Sequence, residues 1–174
     1  MYILKPDEKT TPVMLYTRDT MVSGEVVTKQ NVLRVNIWLK SDGVPKYMHI
    51  LKPHVVVFAG GSAPIALTYS EIYFPVSQLV AFHTQPPTDE PLDYDTTEAN
   101  RMMQEVDVLA GAFVMKGKIR VSTQTEVVQS IEMVGAAWMS LYDVEITNPY
   151  IAQMTMLQAP MALLKPSQVA FAVK

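Results

Sequence analysis

Apolar and polar positions along this chain fall mostly into short runs with a period of two. Val13 to Val27 reads as strand, with Gly24 inside it. Between Val32 and Leu39 the alternation is clearest. Leu33, Val35, Ile37 and Leu39 share one face, and Val32, Arg34, Asn36 and Trp38 the other. That period predicts a half-buried strand, closed by turn chemistry at Ser41-Asp42-Gly43. His54-Val55-Val56-Val57-Phe58 is short and β-branched, which suits a strand covered on both faces. Gly60-Gly61-Ser62-Ala63-Pro64 reads as a loop. Ile72, Phe74 and Val76 alternate again, and Leu79 to Phe82 continues as strand.

The pattern breaks at residues 83–96, which hold three prolines and four acids and read as an exposed, solvated connector. Thr96 or Thr97 is placed to cap a short helix running to about Asp107, with Glu98 near its start. Ala99, Met102, Met103 and Val106 lie at helical spacing on it. The expected organisation is therefore an arm over 1–12, a β unit over 13–83, an acidic connector with a short helix over 84–107, and a second β unit over 108–174.

The second β stretch parallels the first. Val114-Met115-Lys116-Gly117-Lys118-Ile119 matches Met21-Val22-Ser23-Gly24-Glu25-Val26. Val144-Glu145-Ile146 matches Val55-Val56-Val57, and Val169-Ala170-Phe171 matches Val80-Ala81-Phe82. From Val55 to Phe82 and from Val144 to Phe171 the spacing is the same, 27 residues. An ordered series of matches at near-constant spacing points to one supersecondary unit used twice.

Composition narrows the function classes. Hydrophobic residues make up 49%, enough for a sizeable core, and charged residues only 18%, which leaves much surface uncharged and open to another chain. The absence of cysteine removes thiolate nucleophiles, disulfides and cysteine-ligated metals. No stretch has signal-peptide or membrane-helix character, so a soluble, cytoplasmic protein is expected. The net charge of −3 is uneven: +2 over residues 1–83, −6 over 84–110 and +1 over 111–174. Neither β stretch carries the basic stripe that phosphate-backbone binding requires.

With four or five short strands per copy, a glycine in the first and an aromatic near the last, the unit resembles the small Sm-like or SH3-like β-barrel class. Gly117-Lys118-Ile119-Arg120-Val121, then Leu141 to Ile146, then Val169 to Val173 follow that order. The whole chain is similar to uncharacterised bacterial proteins built of tandem copies of such a unit. The resemblance implies edge-strand pairing into rings or stacks. Sm-like proteins that bind RNA carry an Arg-Gly pair before the last strand. Here Pro75-Val76-Ser77-Gln78 and Lys165-Pro166-Ser167-Gln168 stand there instead, so RNA binding is not implied.

Candidate chemistry is sparse. His49 and His54 are five residues apart, which on a strand sets them on opposite faces, and His83 is distant. Neither a G-x-S-x-G elbow nor a phosphate loop is present. Asp89, Glu90, Asp93 and Asp95 lack the glycine pivot and terminal glutamate of a calcium loop. No catalytic, cofactor or metal site is expected. Trp38, Trp138, Met154 and Met156 are the candidate interface residues, because aromatic residues and methionine are enriched at contact centres. The expectation is a non-catalytic β module that self-assembles through protein contacts. A small-ligand or flavin-type barrel is the alternative, and a nucleic-acid-binding Sm-like protein the third reading.

Overall fold

A computed structural model describes residues 2–58, 63–86, 88–133, 137–151 and 156–173. Eleven antiparallel strands form one continuous sheet. The first half contributes β1 (Glu8–Tyr16), β2 (Thr20–Lys29), β3 (Tyr47–Val57), β4 (Ile65–Thr68), β5 (Glu71–Pro75) and β6 (Ala81–Thr84). The second contributes β7 (Arg101–Ala110), β8 (Phe113–Ser122), β9 (Met139–Thr147), β10 (Leu157–Leu164) and β11 (Ala170–Val173). A short helix, α1 (Val127–Met133), follows β8. The strand order is β11-β7-β8-β9-β10-β6-β1-β2-β3-β4, with β5 also on β3.

The pairing order is the same in both halves. β1-β2-β3 and β7-β8-β9 are meanders, and the last strand of each half returns to the first, β6 to β1 and β11 to β7. Registers agree as well. Gly24 faces Val13 and Gly117 faces Val106, while Phe82 faces Leu15 and Phe171 faces Val108. Each glycine lies at a register shift against the third strand. A Cβ on Gly24 would lie 3.0 Å from Leu51 O, and one on Gly117 would lie 2.8 Å from Tyr142 O. The residues after those two carbonyls, Lys52 (φ 49°) and Asp143 (φ 51°), adopt left-handed backbone. Each is tied across the bulge by an ion pair, Lys52–Glu25 at 3.3 Å and Asp143–Lys118 at 2.9 Å, with the signs exchanged. This register sets Val55, which faces Val22, level with Ile146, which faces Met115. The sequence match of Val55-Val56-Val57 with Val144-Glu145-Ile146 is therefore displaced by two residues.

Three sequence expectations need correction. The stretch expected to be a helix to Asp107 is strand β7. Its residues Val106, Val108 and Ala110 alternate into the core, and the helical spacing of Ala99, Met102, Met103 and Val106 buries only the last. Residues 35–40 form a 3-10 helix instead of a strand. Val35 and Trp38, one turn apart, are buried with Leu39, and Leu33 is 81% exposed. In β3, only Val55 of the Val55-Val56-Val57 run is fully buried, and His54 is exposed. The strands also begin earlier than the expected units, β1 at Glu8 and β7 at Arg101. Gly60-Gly61-Ser62 lie outside the described residues. No helix among the described residues is long and apolar enough to cross a membrane.

The sheet curls so that it has two cores. One gathers Val13, Leu15, Val22, Val26, Val35, Trp38, Met48, Ile50 and Phe74 from the first half. The other gathers Val106, Val108, Phe113, Met115, Ile119, Leu141, Val144 and Ile146 from the second. The central strands serve both. β1 sends Val13 and Leu15 to one core and Met14 and Tyr16 to the other. β6 divides Phe82 from Ala81, and β10 divides Leu163 from Ala162 and Leu164. Strands covered on both faces need unbroken apolar runs, which explains Met14-Leu15-Tyr16, Leu79-Val80-Ala81-Phe82 and Met161-Ala162-Leu163-Leu164.

Candidate functional site

The halves meet where β10 pairs with β6. Leu163 faces Phe82 and Leu164 faces Ala81. Lys165 N–H donates to Val80 O at 2.9 Å, and its ammonium to Ser77 O at 3.1 Å. Trp138, which precedes β9, is 5% exposed and packs in the first half's core with Leu163, Leu79 and Phe82. Leu163, Leu164 and Phe82 of this joint are fully buried, and each contributes about 1.5–3 kcal/mol relative to exposure.

The acidic connector is a strap across that joint, which its composition does not reveal. The Glu90 carboxylate accepts from the backbone N–H groups of Val35 (3.0 Å) and Asn36 (2.6 Å). It thus satisfies the start of the 3-10 helix, where Arg34 makes no side-chain cap. Pro91 O accepts from the Asn36 amide (3.1 Å) and from the Arg34 guanidinium. Asp93 accepts from Lys40, Ser140 and Tyr142, each at 2.7 Å, so one carboxylate links the first half, the connector and β9. Burial would raise the Asp93 pKa, but these donors outweigh it and hold the carboxyl below its ordinary range. Burial first, then the bond to Asp93, pushes the Tyr142 phenol well up. Further on, Arg120 pairs with Glu98 at 2.7 Å and donates to Asp95 O.

The Lys40–Ser140–Asp93 triangle has the residue types of nucleophilic chemistry but not the arrangement. Lys40 Nζ donates to Ser140 Oγ at 2.7 Å and to Asp93 at 2.7 Å. Activation of a serine needs a base that accepts its proton, and here Lys40 is the donor to Ser140 Oγ. Ser140, 5% exposed, is itself committed as a donor to Asp93. The geometry is that of a clasp.

Unpaired edges lie at the two ends of the sheet. Among the described residues, β11 bonds only to β7, and β4 and β5 bond only to β3. Large apolar side chains are exposed on or beside them. Tyr73 is 58% exposed, Tyr47 57% and Ile65 50% at one end, and Val173 and Leu109 are each 52% at the other. The ring of Tyr73 stacks on His49 at 4.5 Å and 9°, Tyr2 meets His49 in a T-shaped contact, and His49 Nε2 lies 2.7 Å from Glu71. Among the described residues, no three His, Asp or Glu side chains converge as metal ligands.

Of the interface candidates read from sequence, Trp38 (9% exposed) and Trp138 (5%) are both interior, so neither offers a free anchor. Met156 is 42% exposed, just before β10, and Met154 lies outside the described residues. The exposed edge residues Tyr73 and Val173 were not singled out by sequence. An alternating strand such as Glu71-Ile72-Tyr73-Phe74 shows which residues share a face, but not whether the strand has a neighbour.

His83 is the buried titratable group of the centre. Its Nδ1–H donates to Thr84 O at 3.0 Å, because a carbonyl can only accept, and its Nε2 therefore accepts from the Tyr16 hydroxyl at 2.9 Å. Burial lowers the His83 pKa below its ordinary 6.5, against the Thr84 bond that raises it. The unfolded chain takes up a proton here near pH 6.5 and the fold resists it, so stability falls as pH drops through that value. The expected slope is up to about 1.4 kcal/mol per pH unit. Urea unfolding of His83→Gln should show a flatter dependence between pH 6.5 and 5 than the parent chain. No family model matches this chain, and neither the curated proteins nor the solved structures provide a match.

Proposed function

We propose that the chain is a non-catalytic, self-assembling β module, built of two related small β-barrel units of Sm-like or SH3-like type, whose edges join copies into a ring or filament. The observation that carries this reading is the β10–β6 joint. It pairs the strand on the third strand of one half with the closing strand of the other. Among the described residues, the same two strand types each keep an edge without a strand neighbour: β5, beside the path on β3, and β11, at its far end. By register, Tyr73 and Phe74 stand where Leu163 and Leu164 stand, since Phe74 faces Met48 and Leu164 faces Met139. Phe171 and Ala170 stand where Phe82 and Ala81 stand.

A joint between copies would therefore set Tyr73 against Phe171 of a second copy and Phe74 against its Ala170. Unpaired strand edges with apolar side chains are the ordinary resource for such contacts. The outer joint would be the weaker one. Pro75 replaces Lys165, whose N–H donates across the inner joint, and proline has no such donor.

Sedimentation velocity from about 1 to 100 µM should show concentration-dependent assembly. Tyr73→Lys and Val173→Lys place charges at exposed edge positions and should each weaken assembly at least about tenfold; thermal unfolding of the monomer should be unchanged in Val173→Lys and slightly lowered in Tyr73→Lys, which gives up the stack on His49. A parent chain that stays monomeric at the highest concentration overturns the reading, as does undiminished assembly of the double variant.

A further inference from the structure

Beneath the 3-10 helix lies an open cavity of about 840 Å³, between the end of β2, the helix and the turn at residues 41–45. Its apolar wall is made by Val27, Val32, Leu33, Ile37, Trp38 and Pro45. Leu33, 81% exposed, overhangs the mouth. Small-molecule sites have this size and this character, with a few polar groups that fix orientation.

Two polar groups meet that description. Thr28 continues the inward row of β2 after Val22 and Val26 and is 4% exposed, yet its hydroxyl has no hydrogen-bond partner. A buried hydroxyl without a partner carries a penalty that an apolar side chain would avoid. Arg34 also lines the cavity. One terminal nitrogen, Nη2, donates to Pro91 O, while the buried Nε–H has no partner among the described residues.

The charges around the cavity single out Arg34. Lys29 is neutralised by Asp7 at 2.8 Å and Glu8 at 3.5 Å, and Lys40 by Asp93 at 2.7 Å. Glu90, next to the start of the helix, is committed to two backbone N–H groups. Asp42, on the rim, is exposed to water. Arg34 forms no ion pair with any described carboxylate, and a half-buried guanidinium without a counter-charge favours an anion that can take its free donor.

We infer that this cavity binds a small molecule with an apolar, ring-sized body and a single anionic group such as a carboxylate. The body lies against Trp38 and under Leu33, and the anion is held by Arg34 Nε–H and the Thr28 hydroxyl, which turn out of their buried positions to meet it. A single unneutralised cation suits one charge better than a polyphosphate.

The probes are naphthalene-2-carboxylate and its uncharged analogue 2-naphthylmethanol, titrated into the full chain and followed by the two tryptophan indole N–H resonances. The carboxylate should shift the Trp38 signal and leave that of Trp138, which does not line this cavity. It should bind about tenfold more tightly than the alcohol, the worth of one charge-assisted hydrogen bond. Thr28→Val should weaken the carboxylate about five- to tenfold and yet raise the melting temperature by about 2–4 °C, because an unpartnered hydroxyl is removed. A threonine with a purely structural role would lower both. Leu33→Asp should repel the carboxylate without changing stability. No Trp38 shift at millimolar carboxylate overturns the inference, as does equal affinity for the two probes or binding indifferent to both substitutions. These outcomes are independent of whether copies assemble.

Discussion

Gly111→Ala is expected to destabilise the fold by about 3–5 kcal/mol, whereas Gly43→Ala is expected to cost only about 1–2 kcal/mol. Both glycines have left-handed backbone, φ +62° and +82° respectively, so the conformational penalty of a side chain is similar. The surroundings differ. Nothing lies within 4 Å of a Cβ built on Gly43, but one built on Gly111 would run into the backbone of Arg18, with its carbonyl carbon at 2.6 Å. Main chain does not swing aside as the end of a flexible side chain does. The β7–β8 turn is seated on the β1–β2 turn at this point, and Ala112 N–H donates to Arg18 O at 2.8 Å. Alanine at 111 must part the two hairpins. Urea unfolding of the two variants isolates the packing cost from the backbone cost, and equal losses would refute the close approach.

Asp93→Ala should cost about 2–4 kcal/mol and Asp89→Ala, four residues earlier in the same acidic run, less than about 0.5 kcal/mol. Removal of Asp93, whose side chain is 10% exposed, takes the acceptor from Ser140 and Tyr142 and leaves the Lys40 ammonium with Ser140 Oγ but no counter-charge. Asp89 is exposed and forms no ion pair among the described residues. The difference should depend on pH with a definite sign. Because the Asp93 pKa is lowered below 3.8, the carboxylate stabilises the fold at neutral pH, and this contribution is lost as pH falls through the folded value. The parent and Asp93→Ala chains should therefore converge in stability as pH falls below 3.8 through the folded value. This loss begins below 3.8, whereas that governed by His83 begins at 6.5.

These residues also show what was legible in the sequence. The strand content was, because period-two alternation and β-branched runs have a local cause. The glycines at the bulges were legible too, and their registers in β2 and β8 correspond. The 3-10 helix was not. Its polar positions, Arg34 and Asn36, happen to alternate with apolar ones, while its first donors are satisfied by Glu90, 54 residues away from Asn36. The strap is hidden for the same reason: an acidic, proline-rich run looks solvated until its partners Lys40, from the 3-10 helix, and Ser140 and Tyr142, from β9, are brought to it. β7 resembles a helix in sequence because Met102, Met103 and Val106 fit either period, and only its ten-residue ladder with β8 decides between them. The candidate cavity was outside the reach of pattern analysis altogether. Thr28 reads as one more strand residue, and its unpartnered hydroxyl is a property of what surrounds it.

The doubly covered strands at the centre bear on how the molecule comes into being. Residues 13–16, 81–84 and 161–164 must converge before either core can close. The earlier-made portion of the chain has its Phe82 and Leu79 surface bare until Leu163 and Trp138 have been synthesised. Contacts so far apart in sequence are slow to form. A ribosome would thus hold an incomplete, sticky intermediate until β10 has been made, and melting of the folded molecule should proceed as one transition with no separately stable half.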